Sequence, residues 1–192
     1  MATPVLEVAD SKRLVALPHI PDDDPLPKQL RETLDGLRQA SDDPAILSDL
    51  EEFRGAIMAM HARRLELARL SARDILGRLE AEEAEARTKA NLASDSKVAE
   101  EWEAAARALI DRLQNCQAAA QVAERLEVRE QTLMHQIESL RLAAFHSRLN
   151  AQDIPDFGQR IKGLRQQARA NEEVDEALRK ARRNLAALAH RT

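Results

Sequence analysis

The histidines are the first residues to test for chemistry, because a helical bundle can hold two metal ions through paired Glu-x-x-His motifs. Four of the five histidines lie at position 61 or beyond. The residues three positions before these four are Met58, Thr132, Ala143 and Ala187. None of them is a glutamate, and His135 and His146, about 16 Å apart along one helix, are too distant to ligate the same ion. We therefore interpret the histidines as surface or packing residues and predict no metal site.

Other patterns that accompany catalysis are also missing from the sequence. The five glycines are Gly36, Gly55, Gly77, Gly158 and Gly163. They are too scattered to form a phosphate-binding loop. The carboxylates of residues 80–85 lie on an Ala-rich stretch without the apolar pocket that would raise one pKa, so we interpret them as a solvated face. We predict no catalytic residue and no cofactor, and we expect that the protein is not an enzyme.

Cys116 is the only cysteine, so one chain can form neither a disulfide nor a cysteine-based zinc site. It lies on an apolar helical line, where a thiol packs as a small hydrophobic group. An intermolecular crosslink is the alternative. We expect a reducing compartment and, since no apolar run approaches about 18 residues and the first residues lack the form of a signal peptide, a cytoplasmic location.

Two groups of residues are candidates for binding a partner. The first group consists of apolar residues in an extended, acidic and proline-rich arm that we predict over residues 1–27. This segment contains five of the seven prolines. A disordered arm is the alternative. Its candidate residues are Val5, Leu6, Val8, Leu14, Val15 and Leu17. We expect them to become protected within an assembly, as a peptide that enters a groove does.

The second group combines leucines with a basic cluster near the C-terminus. Its residues are Leu178, Arg179, Arg182, Arg183, Leu185 and Leu188. Leucines at helical spacing flanked by cations predict a contact with an acidic surface that salt weakens. The alternative is a basic helix end that its own dipole stabilises. Without interleaved aromatic residues the cluster does not favour base stacking.

The elements that carry these residues are predicted to be long helices. The chain of 192 residues is 44% apolar and 32% charged, with no tyrosine and one tryptophan, which is typical of helix packing through thin apolar lines. A short helix is expected over residues 28–40. Ser41 to Pro44 is a strong helix start, and residues 45–154 contain no proline and two glycines. We therefore predict an all-α fold.

A long antiparallel coiled-coil hairpin is predicted over residues 41–150, with arms of about 44–92 and 96–150. Asn91, Ser94, Asp95 and Ser96 mark the end of one helix and the start of the next, and a single continuous rod is the alternative. Trp102 is expected to anchor the hairpin tip. The predicted buried line of the first arm comprises Ile46, Leu50, Phe53, Ile57, His61, Leu65, Ala68, Ala72, Ile75 and Leu79.

A third long amphipathic helix with a basic end is predicted over residues 155–191, after the break at Asn150–Asp156. Its apolar line follows heptad spacing and includes the polar Asn171, which fixes register in some coiled coils or else faces solvent. Residues 1–45 carry five basic and nine acidic side chains, whereas residues 156–192 carry nine basic and five acidic ones. With a net charge of −4, nucleic acid is not an expected partner.

These features predict a non-enzymatic coiled-coil protein that acts as a scaffold, stalk, adaptor or virion component. Because a hairpin of Ala-rich helices leaves apolar positions uncovered, we expect a protein partner and self-association. A hairpin followed by further helices is also similar in outline to phage-shock and ESCRT-type membrane proteins and to BAR-type dimers, which implies a membrane surface as the alternative partner. Type III secretion stalks share the outline and imply a second alternative.

Overall fold

The computed structural model describes residues 20–146, 156–169 and 172–189. Within these residues all regular elements are helices and no strand occurs, which confirms the predicted all-α class. The helices are α1 (Pro25–Arg38), α2 (Pro44–Leu70), α3 (Arg73–Leu92), α4 (Ser96–His146), α5 (Phe157–Arg169) and α6 (Glu172–Ala189). The first 19 residues of the predicted N-terminal arm lie outside the described part of the chain.

Helix α1 begins three residues earlier than the sequence predicts because Asp24 and Pro25 form a start signal. The Asp24 carboxylate accepts a hydrogen bond from the backbone N–H of Leu26 at 2.9 Å, and Pro25 occupies the first turn, where a missing N–H is harmless. The apolar side of α1 packs against α4 and α2. Leu30, Leu34 and Leu37 are fully buried there.

Helix α2 begins at Pro44 with Asp43 as its capping residue, as the Ser41–Pro44 run indicates. It ends at Leu70, where the sequence predicts a helix that continues to residue 92. The Ser71 hydroxyl donates to the Leu67 carbonyl at 2.7 Å, and Ala72 takes an extended conformation before α3 begins. The same bond to the preceding turn occurs at Thr132 and Ser139 within the uninterrupted α4, so it favours a bend but does not by itself end a helix.

Helix α4 has 51 residues and runs antiparallel to α2 and α3. Three contacts along the helices establish this direction. Lys89 lies beside Trp102, the Leu70 carbonyl oxygen lies 3.9 Å from the Cys116 Sγ, and His61 bonds to Glu130. As the residue number falls in α2 and α3, it rises in α4. The thiol of Cys116 is buried, as its position on the apolar line predicts.

The main hydrophobic cluster joins α1, α2, α5, α6 and the second half of α4, and we call these elements the body. Because α2 packs against α4 and also against α5 and α6, its buried face is wider than one line. This explains a local error in the predicted line of the first arm. Leu65 is half-buried and Ala68 is exposed, while Leu67 and Leu70 are buried instead.

A second, separate cluster lies between α3 and the first part of α4. Its buried members are Leu79, Ala86, Ala106, Leu109 and Cys116. Helix α3 packs against α4, and its contacts with every other described helix are at most marginal. We call α3 together with residues 96–116 the projection. Its 20-residue helix α3 extends for about 30 Å.

The C-terminal part of the described chain contains α5, which ends at Arg169, and α6, which begins at Glu172. Residues 170–171 between them, including Asn171, lie outside the described residues, so the single helix over residues 155–191 stays a prediction. The apolar positions of both helices whose side chains are described face the body. The buried residues are Phe157, Ile161, Leu164, Ala168, Val174, Leu178 and Ala181.

Candidate functional site

The predicted partner-binding residues of the N-terminal arm, Val5, Leu6, Val8, Leu14, Val15 and Leu17, lie outside the described residues. In the C-terminal group, Leu178 is 6% exposed and belongs to the main cluster. Its side chain therefore packs within its own chain, between α6 and the rest of the body. Leu185 and Leu188 lie in α6, in a part of the helix where the structure does not describe the side chains.

The three arginines of the C-terminal group differ in their surroundings. Arg182 forms two hydrogen bonds with the Glu66 carboxylate, at 2.6 and 2.8 Å, and these bonds raise the pKa of Arg182. Arg179 and Arg183 are exposed, and each donates to a backbone carbonyl one turn earlier in α6. Thus Arg182 fastens α6 to α2, whereas Arg179 and Arg183 remain available to an external surface.

Ion pairs also hold α5 on α2. Arg165 lies 2.6 Å from Asp49 and 3.0 Å from Glu52, and Arg169 lies 2.6 Å from the same Glu52 carboxylate. Asp49 is buried, so its pair with Arg165 is shielded from solvent more than an ordinary surface pair. Some of the basic side chains in the C-terminal region therefore form ion pairs within the body.

The tip of the projection, defined as residues 91–103, exposes apolar side chains. Leu92 is 77% exposed and Val98 is 42% exposed. Asp95 caps α4 by accepting a hydrogen bond from the Lys97 backbone N–H at 2.8 Å, so the turn between α3 and α4 is well defined. Its apolar residues are presented on a structured turn.

Trp102 supports the tip from inside, as the sequence predicts. Its ring is half-buried and packs against the second cluster. The Lys89 Nζ lies 4.6 Å from the ring centroid, within the distance at which a cation and an aromatic face attract each other. This contact joins α3 to α4 close to their connection.

The tip also carries a negative charge. Residues 91–103 contain four acidic side chains and one basic side chain, all exposed. Glu103 is near Arg107 at 3.9 Å, and Glu100 accepts a long hydrogen bond from Ser96. These are weak surface interactions, so the electrostatic potential around the tip stays negative.

A buried polar cluster joins α1, α2 and α4 within the body. His61, on α2, is 1% exposed. Its Nδ1 lies 2.8 Å from Glu130 on α4, and its Nε2 lies 2.8 Å from Asp24 at the start of α1. Arg64 Nε approaches the same Glu130 carboxylate at 3.3 Å. We call Asp24, His61, Arg64 and Glu130 the His61 cluster.

The protonation state of the His61 cluster follows from its geometry. Burial alone would lower the pKa of His61, but its hydrogen bonds to the Glu130 and Asp24 carboxylates outweigh burial and raise the pKa above the ordinary value. Burial would raise the pKa of Asp24, but the hydrogen bonds that it accepts from Leu26 and His61 hold its pKa below the ordinary value. The two carboxylates therefore make His61 easier to protonate than a free histidine.

The His61 cluster borders a groove of about 740 Å³ between α1, α2 and α4. The residues around the groove carry both signs of charge, and no serine, threonine or cysteine contacts His61 through its ring nitrogens, which bond to carboxylates. Among the described residues no group of three or more His, Cys, Asp or Glu side chains is arranged to hold a metal ion. The cluster therefore fastens the start of α1 to α2 and α4, and its geometry supports binding or stability better than nucleophilic catalysis.

A second groove, of about 600 Å³, lies between α4 and α5, and we call it the α4–α5 groove. Its sides include Thr132, His135, Ser139, Arg160, Gly163 and Gln167. Leu140 and Leu164, both 5% exposed, lie at its base. None of the described residues that line it is acidic. The groove thus has leucines at its base, polar side chains along its sides and one arginine, Arg160.

The features that sequence reasoning missed are the His61 cluster and the α4–α5 groove. His61 is placed on the buried line of the first arm, and a histidine in that position requires partners for two ring nitrogens. The sequence does not identify Asp24 and Glu130 as those partners, because they lie 37 and 69 residues away. The groove depends on how α5 packs against α4, which periodicity does not specify.

No family model, no curated protein and no solved structure matches this chain. Among the described helices none is long and apolar enough to cross a membrane.

Proposed function

We propose that this chain is a non-enzymatic helical assembly protein that binds a protein partner through its projection. The observation that carries the proposal is the separation of α3 and the first part of α4 from the main cluster, together with the exposed Leu92 at their tip. A two-helix segment that packs only on itself contributes little to the body. Its form is suited to holding the tip, as a binding surface, away from the body.

The predicted coiled-coil hairpin is part of this proposal. The buried positions of α3 are Leu79 and Ala86, seven residues apart, which is the heptad spacing of a two-helix contact. Small residues along this line allow α3 and α4 to approach closely. We infer that the projection acts as a stalk whose length sets the position of the tip.

The chemistry of the tip favours a protein over a membrane as its partner. Leu92 and Val98 are surrounded by exposed carboxylates, including Glu100 and Glu101. Anionic lipid surfaces attract basic segments and repel acidic ones. A protein surface with an apolar centre and a neutral or basic rim is the better match. The N-terminal arm is proposed as a second contact with the same assembly.

The double substitution Leu92→Ser and Val98→Ser is expected to weaken partner binding without unfolding the chain. Both side chains are exposed, so their truncation should change the free energy of unfolding by less than about 0.5 kcal/mol. Loss of apolar contacts at the centre of an interface should raise the dissociation constant about 10-fold or more. Binding is measured with the partner recovered from the native source, or by light scattering if the chain binds itself.

Ala68→Ser is the control, because Ala68 is exposed on α2 and lies outside both the projection and the α4–α5 groove. It should leave binding unchanged. Co-sedimentation with liposomes that contain anionic lipid separates the membrane alternative. Binding to liposomes that survives the tip substitutions, with no protein partner, would contradict the proposal.

A further inference from the structure

We propose that the partner surface for the tip is the α4–α5 groove of a second copy of this chain. The proposal rests on the proposed function and identifies the partner. Residues 91–103 would lie against the groove, with Leu92 and Val98 facing its apolar base. The contact is heterologous, because it joins two different surfaces of the two copies.

Charge complementarity is the first argument for this pairing. The tip carries four exposed carboxylates and one lysine. The α4–α5 groove has no acidic residue among its described lining, and Arg160 lies exposed along it. The Arg160 side chain forms no ion pair in the described part of the chain, whereas Arg165 and Arg169 of the same helix are paired with α2. The acidic tip would therefore lie next to Arg160, an arginine that is not engaged in an ion pair within the described residues.

Exposed apolar surface is the second argument. Val128 is 61% exposed and lies one helical turn before Thr132 of the groove, on the same side of α4. Val128 does not line the groove itself, but it places an apolar side chain beside the Thr132 end. Apolar side chains are thus exposed on both proposed surfaces, at the tip and beside the groove, and a contact between copies would cover both.

The geometry of α4 requires that the two surfaces belong to different copies. Val98 and Thr132 lie on the same continuous helix. Their difference of 34 positions corresponds to about 50 Å along the helix axis. The tip of one chain therefore cannot reach its own groove. A head-to-tail contact of this kind forms a closed ring if the rotation closes and a filament if it does not.

Charge reversal on the full chain tests the pairing. The variant Glu100→Lys with Glu101→Lys should raise the dissociation constant for self-association about 10-fold or more at low salt, and Arg160→Glu should do the same. All three residues are exposed and outside the clusters, so folding should be preserved. Equal mixing of the tip variant with the groove variant should restore association, because each contact then joins opposite charges. Light scattering and sedimentation equilibrium report the masses.

Filling the groove is a second test that does not depend on charge. A Cβ atom added at Gly163 meets nothing within 4 Å, and Gly163 lines the groove, so Gly163→Leu adds apolar volume at the groove from a position where its Cβ has open space. It should abolish self-association. Gly55→Leu is the matched control, because Gly55 is also helical with open space around it, and this variant should associate like the unmodified chain.

The outcomes separate this inference from the proposed function. Restored association in the mixture and loss with Gly163→Leu support the pairing. A chain that remains monomeric at micromolar concentrations overturns the inference, and it leaves the proposed function intact if the Leu92 and Val98 substitutions still abolish binding to another protein. A dissociation constant for self-association that is unchanged by both the charge reversals and Gly163→Leu also overturns the inference.

Discussion

Replacing Phe53 with alanine is expected to lower the free energy of unfolding by about 3–5 kcal/mol, because it removes a large buried side chain and leaves a cavity. Phe53 is 0% exposed and lies in the main cluster, where α2 meets its neighbours. Urea unfolding followed by circular dichroism measures the change. With this substitution the body should lose most of its stability.

Leu79→Ala is the matched contrast to Phe53→Ala. Leu79 is also 0% exposed, but it belongs to the second cluster. The substitution should increase hydrogen exchange in α3 and residues 96–116 while the body keeps its protection. If Leu79→Ala destabilises α1, α5 and α6 as strongly as Phe53→Ala does, the projection and the body are one cooperative unit and their separation is wrong.

Replacing His61 with leucine is expected to lower the free energy of unfolding by about 3 kcal/mol, because it leaves buried carboxylates without their cationic partner. Leucine is apolar and of similar size, so the substitution leaves no large cavity. Glu130 is 7% exposed and keeps only Arg64 nearby. The loss should be accompanied by faster proteolysis around Pro25, since Asp24 no longer fastens the start of α1 to α2.

The effect of His61→Leu should depend on pH in a definite direction. The pKa of His61 is raised in the folded protein, so its contribution is fully present below the ordinary value of 6.5 and is lost as the pH rises through the higher folded-state pKa. The pKa of Asp24 is lowered, so its contribution is present above 3.8 and is lost as the pH falls through the lower folded-state pKa. The stability difference between the unmodified chain and the variant is therefore largest in mildly acidic solution.

His135→Leu is the control for this series, because His135 is an exposed histidine of α4. Its effect on the free energy of unfolding should stay within about 0.5 kcal/mol. A cost of His61→Leu that is constant from mildly acidic to alkaline solution would show that packing, and not the charge of the imidazolium, holds α1 in place.

The helix class and the starts of α2 and α4 were predictable because they depend on local sequence. Asp43 and Pro44 form a start signal within two positions, and the structure has α2 begin there. The heptad spacing of Phe157, Ile161 and Leu164 likewise specifies a buried face without knowledge of what covers it. These are properties of one helix and a few neighbouring residues.

The break between α2 and α3 was not predictable from local sequence. The Ser71 hydroxyl bonds back to Leu67, Ala72 caps α3 without a side-chain hydrogen bond, and no proline or glycine marks the position. The extended conformation of Ala72 depends on tertiary packing, because α2 turns toward α5 and α6 while α3 follows α4 alone.

The candidate interaction surfaces were less predictable, because they depend on which helices lie side by side. Leu178 and Arg182 have the residue types of an external binding face, yet the structure uses both within the chain. Leu92 was not singled out, since one leucine among charged residues carries no pattern. Its importance arises from its 77% exposure at the end of a segment that packs on itself.

Hydrogen exchange of the full chain at a low and a high concentration tests most directly whether the tip is where this protein makes its contacts. We expect the high concentration to slow exchange in residues 91–103 and in the two sides of the α4–α5 groove, residues 132–140 and 160–167. The rest of the body should exchange at the same rate in both samples. Unchanged exchange at the tip, with new protection confined to α1 or α6, would show that the protein makes its contacts elsewhere.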